Sequence, residues 1–276
     1  MPVKNAVPLE NMLPDAFSKT LLAGGLEVLE TANPIRAHLF AAALREVVGY
    51  LLQEMAPDEE LAEAPWFVLD GDRPTRKQRM TFAIQGGMSV STVDELGVDA
   101  ADMHKEMSTA IGELNKRTHV RPGTLLVDPG QIEAFADGVV DAVIEFRQIV
   151  ADMRDAVAGA VVHNASAPVF GSFLQEANDM IDALSTHSFV EQVDVEEVRV
   201  VRIGAYEITY EAEGTVYVEL NYGSSSDRAR GEGATTTDSY PFKCKMMGSV
   251  DDLSDIHDVC DIEVDTASFY ESPDED

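Results

Sequence analysis

Residues 167–220, APVFGSFLQEANDMIDALSTHSFVEQVDVEEVRVVRIGAYEITYEAEGTVYVEL, change their apolar rhythm part-way through. Up to Leu184, the residues Val169, Phe173, Ala177, Met180, Ile181 and Leu184 recur at helical spacing and share one stripe of a helix over 167–185. Beyond it the period falls to two. Val193, Val195, Val198 and Val200, then Tyr206, Ile208 and Tyr210, then Val216, Val218 and Leu220 read as half-buried antiparallel strands, with Gly214 the turn between the last two. The switch predicts an α+β chain: an all-helical module over 1–187, then a small antiparallel β module over 188–276 that closes on an acidic tail.

Toward the N-terminus the helical rhythm persists. A helix over 15–31 turns Leu21, Leu22, Leu26 and Leu29 inward, with Gly24-Gly25 weakening its middle. The next opens at Asn33-Pro34, an N-cap and N1 pair, and carries Phe40, Leu44, Val47, Val48, Leu51 and Met55 on one stripe before Pro57. Residues 56–75, rich in Pro, Asp and Gly, read as a loop anchored by Trp66 and Phe67. Helices follow over 75–85 and 101–118. From Asp128-Pro129 an apolar stripe from Ile132 to Val161 predicts a helix of about 35 residues, bent or broken near Gly159. Toward the C-terminus, the polar stretch Gly223–Asp238 is too long for a simple hairpin, and long loops in compact domains tend to carry function. Strands are expected at Tyr240–Met247 and over 259–270.

A chain of 276 residues with 45% hydrophobic content can bury one large core or two smaller ones. Its net charge is −30, and the imbalance is local: 36–121 is net −4 while 122–276 is net −24. So acidic a surface disfavours a long non-specific grip on phosphate backbones, and any contact with nucleic acid must be local or shared with a partner. The same charge fits a generally acidic, halophile-like surface equally well. Cys244 and Cys260 stand outside any CxxC, against a disulfide or zinc framework. No apolar run approaches the ~18 residues of a membrane span, and the N-terminus lacks a signal-peptide core, so the expectation is a cytoplasmic protein without membrane contact. Nothing in the sequence fixes the oligomeric state.

Few residues carry an explicit chemistry, and each has a structural reading beside the functional one. His38 and Arg45 lie on nearly one azimuth of a helix and could act as acid/base and phosphate clamp if His119 converged on them, making a HEPN-like ribonuclease bundle. HEPN ribonucleases, however, place Arg before His and closer, and a structural interhelical pair explains these residues more simply. Arg73-Pro-Thr-Arg-Lys-Gln-Arg79 is a basic island in which Arg76 and Arg79 project together, toward a phosphate, a partner, or carboxylates of the chain itself. Lys116, Arg117 and His119 suit the last turn of a helix by charge alone.

In the β module, Tyr217, Glu219 and Asn221 face away from Val216, Val218 and Leu220, and Lys243 and Lys245 away from Phe242, Cys244 and Met246. Glu219, Asp227, Asp238 and Lys243 could supply the carboxylates and Lys of a metal-dependent nuclease, with Mg²⁺ or Mn²⁺ as cofactor, though no D…ExK spacing appears. A solvated strand face is the alternative. His257, Cys260 and the aspartates of 251–261 make a weaker metal candidate.

The series Asn33-Pro-Ile-Arg36 with Leu44-Arg-Glu46, Trp66-Phe67, Thr75-Arg-Lys-Gln-Arg79, Ala83-Ile-Gln-Gly-Gly87, Leu114-Asn-Lys-Arg-Thr-His119, Tyr222-Gly-Ser-Ser-Ser-Asp227 and Asp238-Ser-Tyr-Pro-Phe242 resembles the predicted pPIWI-associating nucleases of bacteria. The resemblance implies a component of prokaryotic conflict systems, encoded beside Argonaute-like PIWI proteins and helicases and proposed to cut invading nucleic acid. It marks Arg36, Arg45, Glu46, Arg76, Arg79, His119, Asp227 and Asp238 as family-like polar positions. The alternative is a non-enzymatic adaptor whose helical module binds a partner and whose β module recognises a ligand.

Overall fold

The structure, a computed structural model, describes residues 3–69, 71–98, 101–175, 179–223, 230 and 233–270. They fall into two compact units, Met1–Met153 and Arg154–Asp276. In the first unit the described helices are α1 (Ala6–Met12), α2 (Ala16–Glu30), α3 (Arg36–Met55), α4 (Asp58–Glu63), α5 (Arg76–Gln85), α6 (Val90–Glu95), α7 (Ala101–Thr118) and the first part of α8 (Pro129–Gln175). α3 is the hub: α2, α5 and α7 all pack against it. Its buried stripe of Ala37, Phe40, Ala41, Leu44, Val47, Val48, Leu51 and Leu52 holds to the expected spacing.

Side chains fix where these helices start. Asp15 caps α2, accepting from Ser18 N and Ser18 Oγ at 2.8 Å, and from the Tyr50 hydroxyl of α3. Those donors hold the Asp15 carboxyl below its usual value, the Ser18 amide most strongly, and the Asp15 bond pushes the Tyr50 phenol up to about 12. Asn33 does not cap α3 directly. Its Oδ1 accepts from Ile35 N at 2.9 Å, closing a turn that delays the helix, and Ile35 takes the cap position. Thr75 and Gln78 form a reciprocal capping box on α5. The expected loop at 56–75 contains α4, and Trp66 anchors it by donating Nε1–H to Gly86 O at 2.7 Å.

The second unit holds the later part of α8, then α9 (Asp179–Asp182), β1 (His187–Ile203), β2 (Glu207–Tyr222), β3 (Ala234–Ser249), β4 (Ile256–Val264) and α10 (Ala267–Tyr270). The strands form one antiparallel sheet in the order β1-β2-β3-β4. α8 runs unbroken through Gly159 and Pro168, so the helix expected from 128 and the one expected from 167 are a single element as far as Gln175. It is also long and apolar enough, by length and composition alone, to cross a membrane, which the run-length reading of the sequence missed. Val157, Val161, Ala165, Val169 and Phe173 repeat every fourth residue along it and are buried, the pattern of a core helix. Phe173 meets Phe242 edge to face, Ser172 Oγ donates to Val259 O, and Ser166 Oγ accepts from Val195 N. The compact units therefore part inside α8, while the expected boundary near 187 marks the passage from helix to strand.

Two further expectations are corrected. Gly214 is no turn: β2 passes through it without a break, and the glycine serves a close approach instead, since a Cβ there would lie 2.0 Å from Asp194 O of the neighbouring strand. β3 begins at Ala234, so the last five residues of the polar stretch expected as loop are strand.

Candidate functional site

The register of the sheet decides which charged residues meet. On β2 the even positions from Ile208 to Leu220 are buried and the odd ones look outward, as the alternation predicts, except that Asn221 is itself buried. Across the outward face Glu197 opposes Glu213, Glu213 opposes Lys243, and Lys243 opposes Glu263. The next row runs Arg199, Glu211, Lys245, with Asp261 closing it. Directly opposed side chains have Cβ atoms about 5 Å apart, so each row is a line of contacts. Lys243 Nζ pairs with Glu213 Oε1 at 2.7 Å and Lys245 Nζ with Asp261 Oδ2 at 2.8 Å, while Arg199 pairs with Glu211.

The four residues singled out in this module are thereby separated. Glu219 opposes Thr237 on the outward face and accepts from Asn221 Nδ2 at 2.7 Å. Asp238 opposes Val218, so it points to the other face, where it accepts the Tyr240 hydroxyl at 2.7 Å. Lys243 opposes Glu213, six residues along β2 from Glu219, a separation of roughly 20 Å at the strand rise. Asp227 lies outside the described residues. What surrounds Lys243 instead is Glu213 and Glu263, at a groove of about 890 Å³ that Glu196, Thr215 and Asp265 also line. Glu213 raises the proton affinity of Lys243, so this Lys is a fixed cation and cannot serve as a base near neutral pH.

No three His, Cys, Asp or Glu side chains among the described residues are placed to hold a metal ion together. The described residues alone thus do not fit a Mg²⁺ or Mn²⁺ centre, and the chemistry they offer is electrostatic: a Lys between carboxylates. His257 Nε2 donates to Glu207 Oε1 across 3.0 Å, and Cys260 stands next to Lys245 in the register, so these two do not form the weaker metal candidate. Burial pushes the Cys244 thiol up to about 12, which leaves it inert.

In the helical unit His38 is a buried structural residue. Its Nδ1 lies 2.6 Å from Arg117 O and its Nε2 accepts from Leu126 N at 3.4 Å, an arrangement that requires the proton on Nδ1 and leaves neither nitrogen for acid/base work. The ring does reach the segment that carries His119, but the His119 side chain is exposed. Arg76 and Arg79 part company. Arg79 donates to Ala56 O at 2.6 Å and pairs with Asp58, tying α5 to the start of α4. Among the described residues Arg76 donates only to Asn115 Oδ1, at 3.3 Å, and it feels the charges of Arg45 and Glu46. Arg36 is engaged with Thr31 O. Between α7 and α8 a second groove, of about 660 Å³, brings Glu106 against Glu145, and that hydrogen bond, with some burial, raises the Glu145 carboxyl above its usual value.

Two family models described as predicted pPIWI-associating nuclease match the chain, one over residues 9–143 and the other over 150–270. The chain belongs to the predicted pPIWI-associating nucleases. No match is found among curated proteins or among solved structures. The gap between the two matched segments of this pPIWI-associating nuclease, 144–149, falls beside the division of its compact units at 153. Sequence reading missed Glu213 and Glu263 around Lys243, and Asn115 beside Arg76. Glu213 and Lys243 were visible as outward positions, but only the register pairs them, and Asn115 had no signal beyond its place in a basic turn.

Proposed function

We propose that the chain is a nuclease, or a nuclease-like effector, of a prokaryotic antiphage or antiplasmid defence system, working with an Argonaute-like PIWI protein and a helicase in the cytoplasm. The observation that carries the reading is the match of both compact units to models of predicted pPIWI-associating nucleases, over 9–143 and 150–270. The groove around Lys243 supports it chemically. A Lys held protonated between Glu213 and Glu263 can stabilise the charge that develops on a phosphate under attack, and a neighbouring carboxylate can take a proton. The net charge of −30 argues that substrate reaches this groove with help from a partner. The test is incubation of the purified chain, alone and with its PIWI partner, on RNA, single-stranded and duplex DNA under Mg²⁺ or Mn²⁺. Cutting should fall by about 100-fold or more in Lys243→Ala, the usual cost of a lost transition-state contact. No cutting in any combination would refute the nuclease reading.

A second reading, a non-enzymatic adaptor or sensor in the same kind of complex, is favoured by one observation. Three outward cations of the sheet, Arg199, Lys243 and Lys245, are paired with carboxylates of neighbouring strands. In that case Lys243→Ala leaves partner assembly and defence unchanged.

A further inference from the structure

Fifty carboxylates face twenty Lys and Arg side chains in this chain, so two neighbouring guanidinium groups that pair with none of the described carboxylates are worth following. The helical unit brings two together. α3 packs against α5 and α7, and α5 also meets α7. Arg45 stands on α3, Arg76 is the first residue of α5, and Asn115 lies in the last turns of α7. Arg45 makes no hydrogen bond or ion pair with any described residue, and its Nε is shut off from water without an acceptor. Among the described residues Arg76 has the Asn115 amide oxygen alone, at 3.3 Å.

Three positive features converge here, and among the described residues Glu46 neutralises them only in part. Burial and the nearby charge of Arg45, in that order, lower the proton affinity of Arg76, and Glu46 offsets this only in part. Arg76 also sits at the N-terminal end of α5, where the helix dipole is positive and a cation is disfavoured. Each feature costs stability in the empty site. Each becomes favourable if an anion with several acceptor oxygens lies between the two guanidinium groups, since a planar fork matches a phosphate oxygen pair and a neutral amide can donate to a third oxygen. Arg79, one turn along α5, shows the contrast, because its donors are already spent on Ala56 O and Asp58.

We propose that Arg45 and Arg76, with the side chain of Asn115, form a binding site for a backbone phosphodiester of nucleic acid. The site rests on the nuclease reading for its choice of anion, and it supplies the local contact that so acidic a chain needs. One phosphate held by two cations gives a shallow salt dependence, with a slope near −0.7 to −1 per phosphate rather than the steep slope of a basic DNA-binding protein.

The experiment measures binding of the full chain to a short labelled RNA and to single-stranded DNA of the same sequence, in EDTA so that nothing is cut. Arg45→Gln and Arg76→Gln are compared with the unaltered chain, and the melting temperature of each is recorded. Each change should weaken binding by at least about tenfold, the loss of one charged contact. Each should melt at or above the unaltered protein, because the repulsion is relieved. The two oligonucleotides tell which nucleic acid is held, and inorganic phosphate serves as competitor. Binding that ignores both changes, binding lost together with melting temperature, no binding by the unaltered chain, or inorganic phosphate competing as well as an oligonucleotide would each overturn the site. A chain that binds through Arg45 and Arg76 but never cuts removes the nuclease reading and leaves the site; one that cuts while ignoring both changes does the reverse.

Discussion

At Gly214 two backbones come closer than any side chain would permit. A Cβ built there lies 2.0 Å from Asp194 O and 2.9 Å from Val195 Cα, and both are main-chain atoms that cannot rotate away. Gly159, on α8 in the same unit, is the opposite case, exposed and with nothing within 4 Å of its Cβ direction. The same substitution should therefore have opposite signs at the two positions. Gly214→Ala forces β1 and β2 apart next to the groove and should lose about 1–3 kcal/mol, the range for an overpacked interior. Gly159→Ala removes helix-disfavouring backbone freedom and should gain up to about 1 kcal/mol. Urea unfolding of both variants decides it, and a neutral Gly214→Ala would mean that the strands are not held at this spacing. The residue scale also explains Lys243: its partner Glu213 is one position from that glycine, so the close approach helps to set the groove's geometry.

Elements are governed by periodicity and by caps, and α5 shows how much one cap carries. Thr75 Oγ1 accepts from Gln78 N at 3.2 Å, and Gln78 Oε1 accepts from Thr75 N at 2.8 Å. Thr75→Ala removes one half of this box and should cost about 1 kcal/mol in urea unfolding, with Thr75→Ser close to unchanged. A loss as large for Ser as for Ala would mean that the threonine methyl, and not the cap, holds the turn. Elements with a long apolar period were legible: the helix over 15–31, α3, α5, α7 and the start of α8 all fall where the spacing puts them. Short ones were not, because α1, α4 and α6 span two turns or fewer and give too few repeats to set a period. The break expected near Gly159, and the separate helix expected over 167–185 and so opening around Pro168, failed for a tertiary reason. The stripe through Val161, Ala165, Val169 and Phe173 continues on both sides of the proline and meets the sheet, and this burial outweighs one lost backbone hydrogen bond. The outward alternation of β2 and β3 was legible too. Its pairing was not, since register is a relation between strands, and so Glu219 and Asp238 were grouped on one site although they lie on opposite faces.

For the whole molecule the question is what the β sheet needs in order to fold. A division at 187 would leave β1–β4 without the helix, whereas the compact units part at 153 and give residues 154–175 to the sheet. Val193, Val198, Val200, Ile208, Tyr210, Val216, Val218, Leu220, Tyr240, Phe242 and Met246 are all buried, and Phe173, Ser172 and Ser166 of α8 touch β3, β4 and β1 respectively. Removing that helix exposes apolar surface worth about 25 cal/mol per Å² to water, and a small domain is too marginal to absorb the loss. A fragment of 154–276 should therefore melt cooperatively with strand-rich circular dichroism. A fragment of 188–276 should show no cooperative transition and should bind an apolar dye, its acidic surface keeping it in solution while unfolded. Equal melting of the two fragments would show that the sheet is self-sufficient and would return the boundary to 187. Failure of both would mean that the second unit needs residues before 154, and the division inside α8 would then not be one of independent folding.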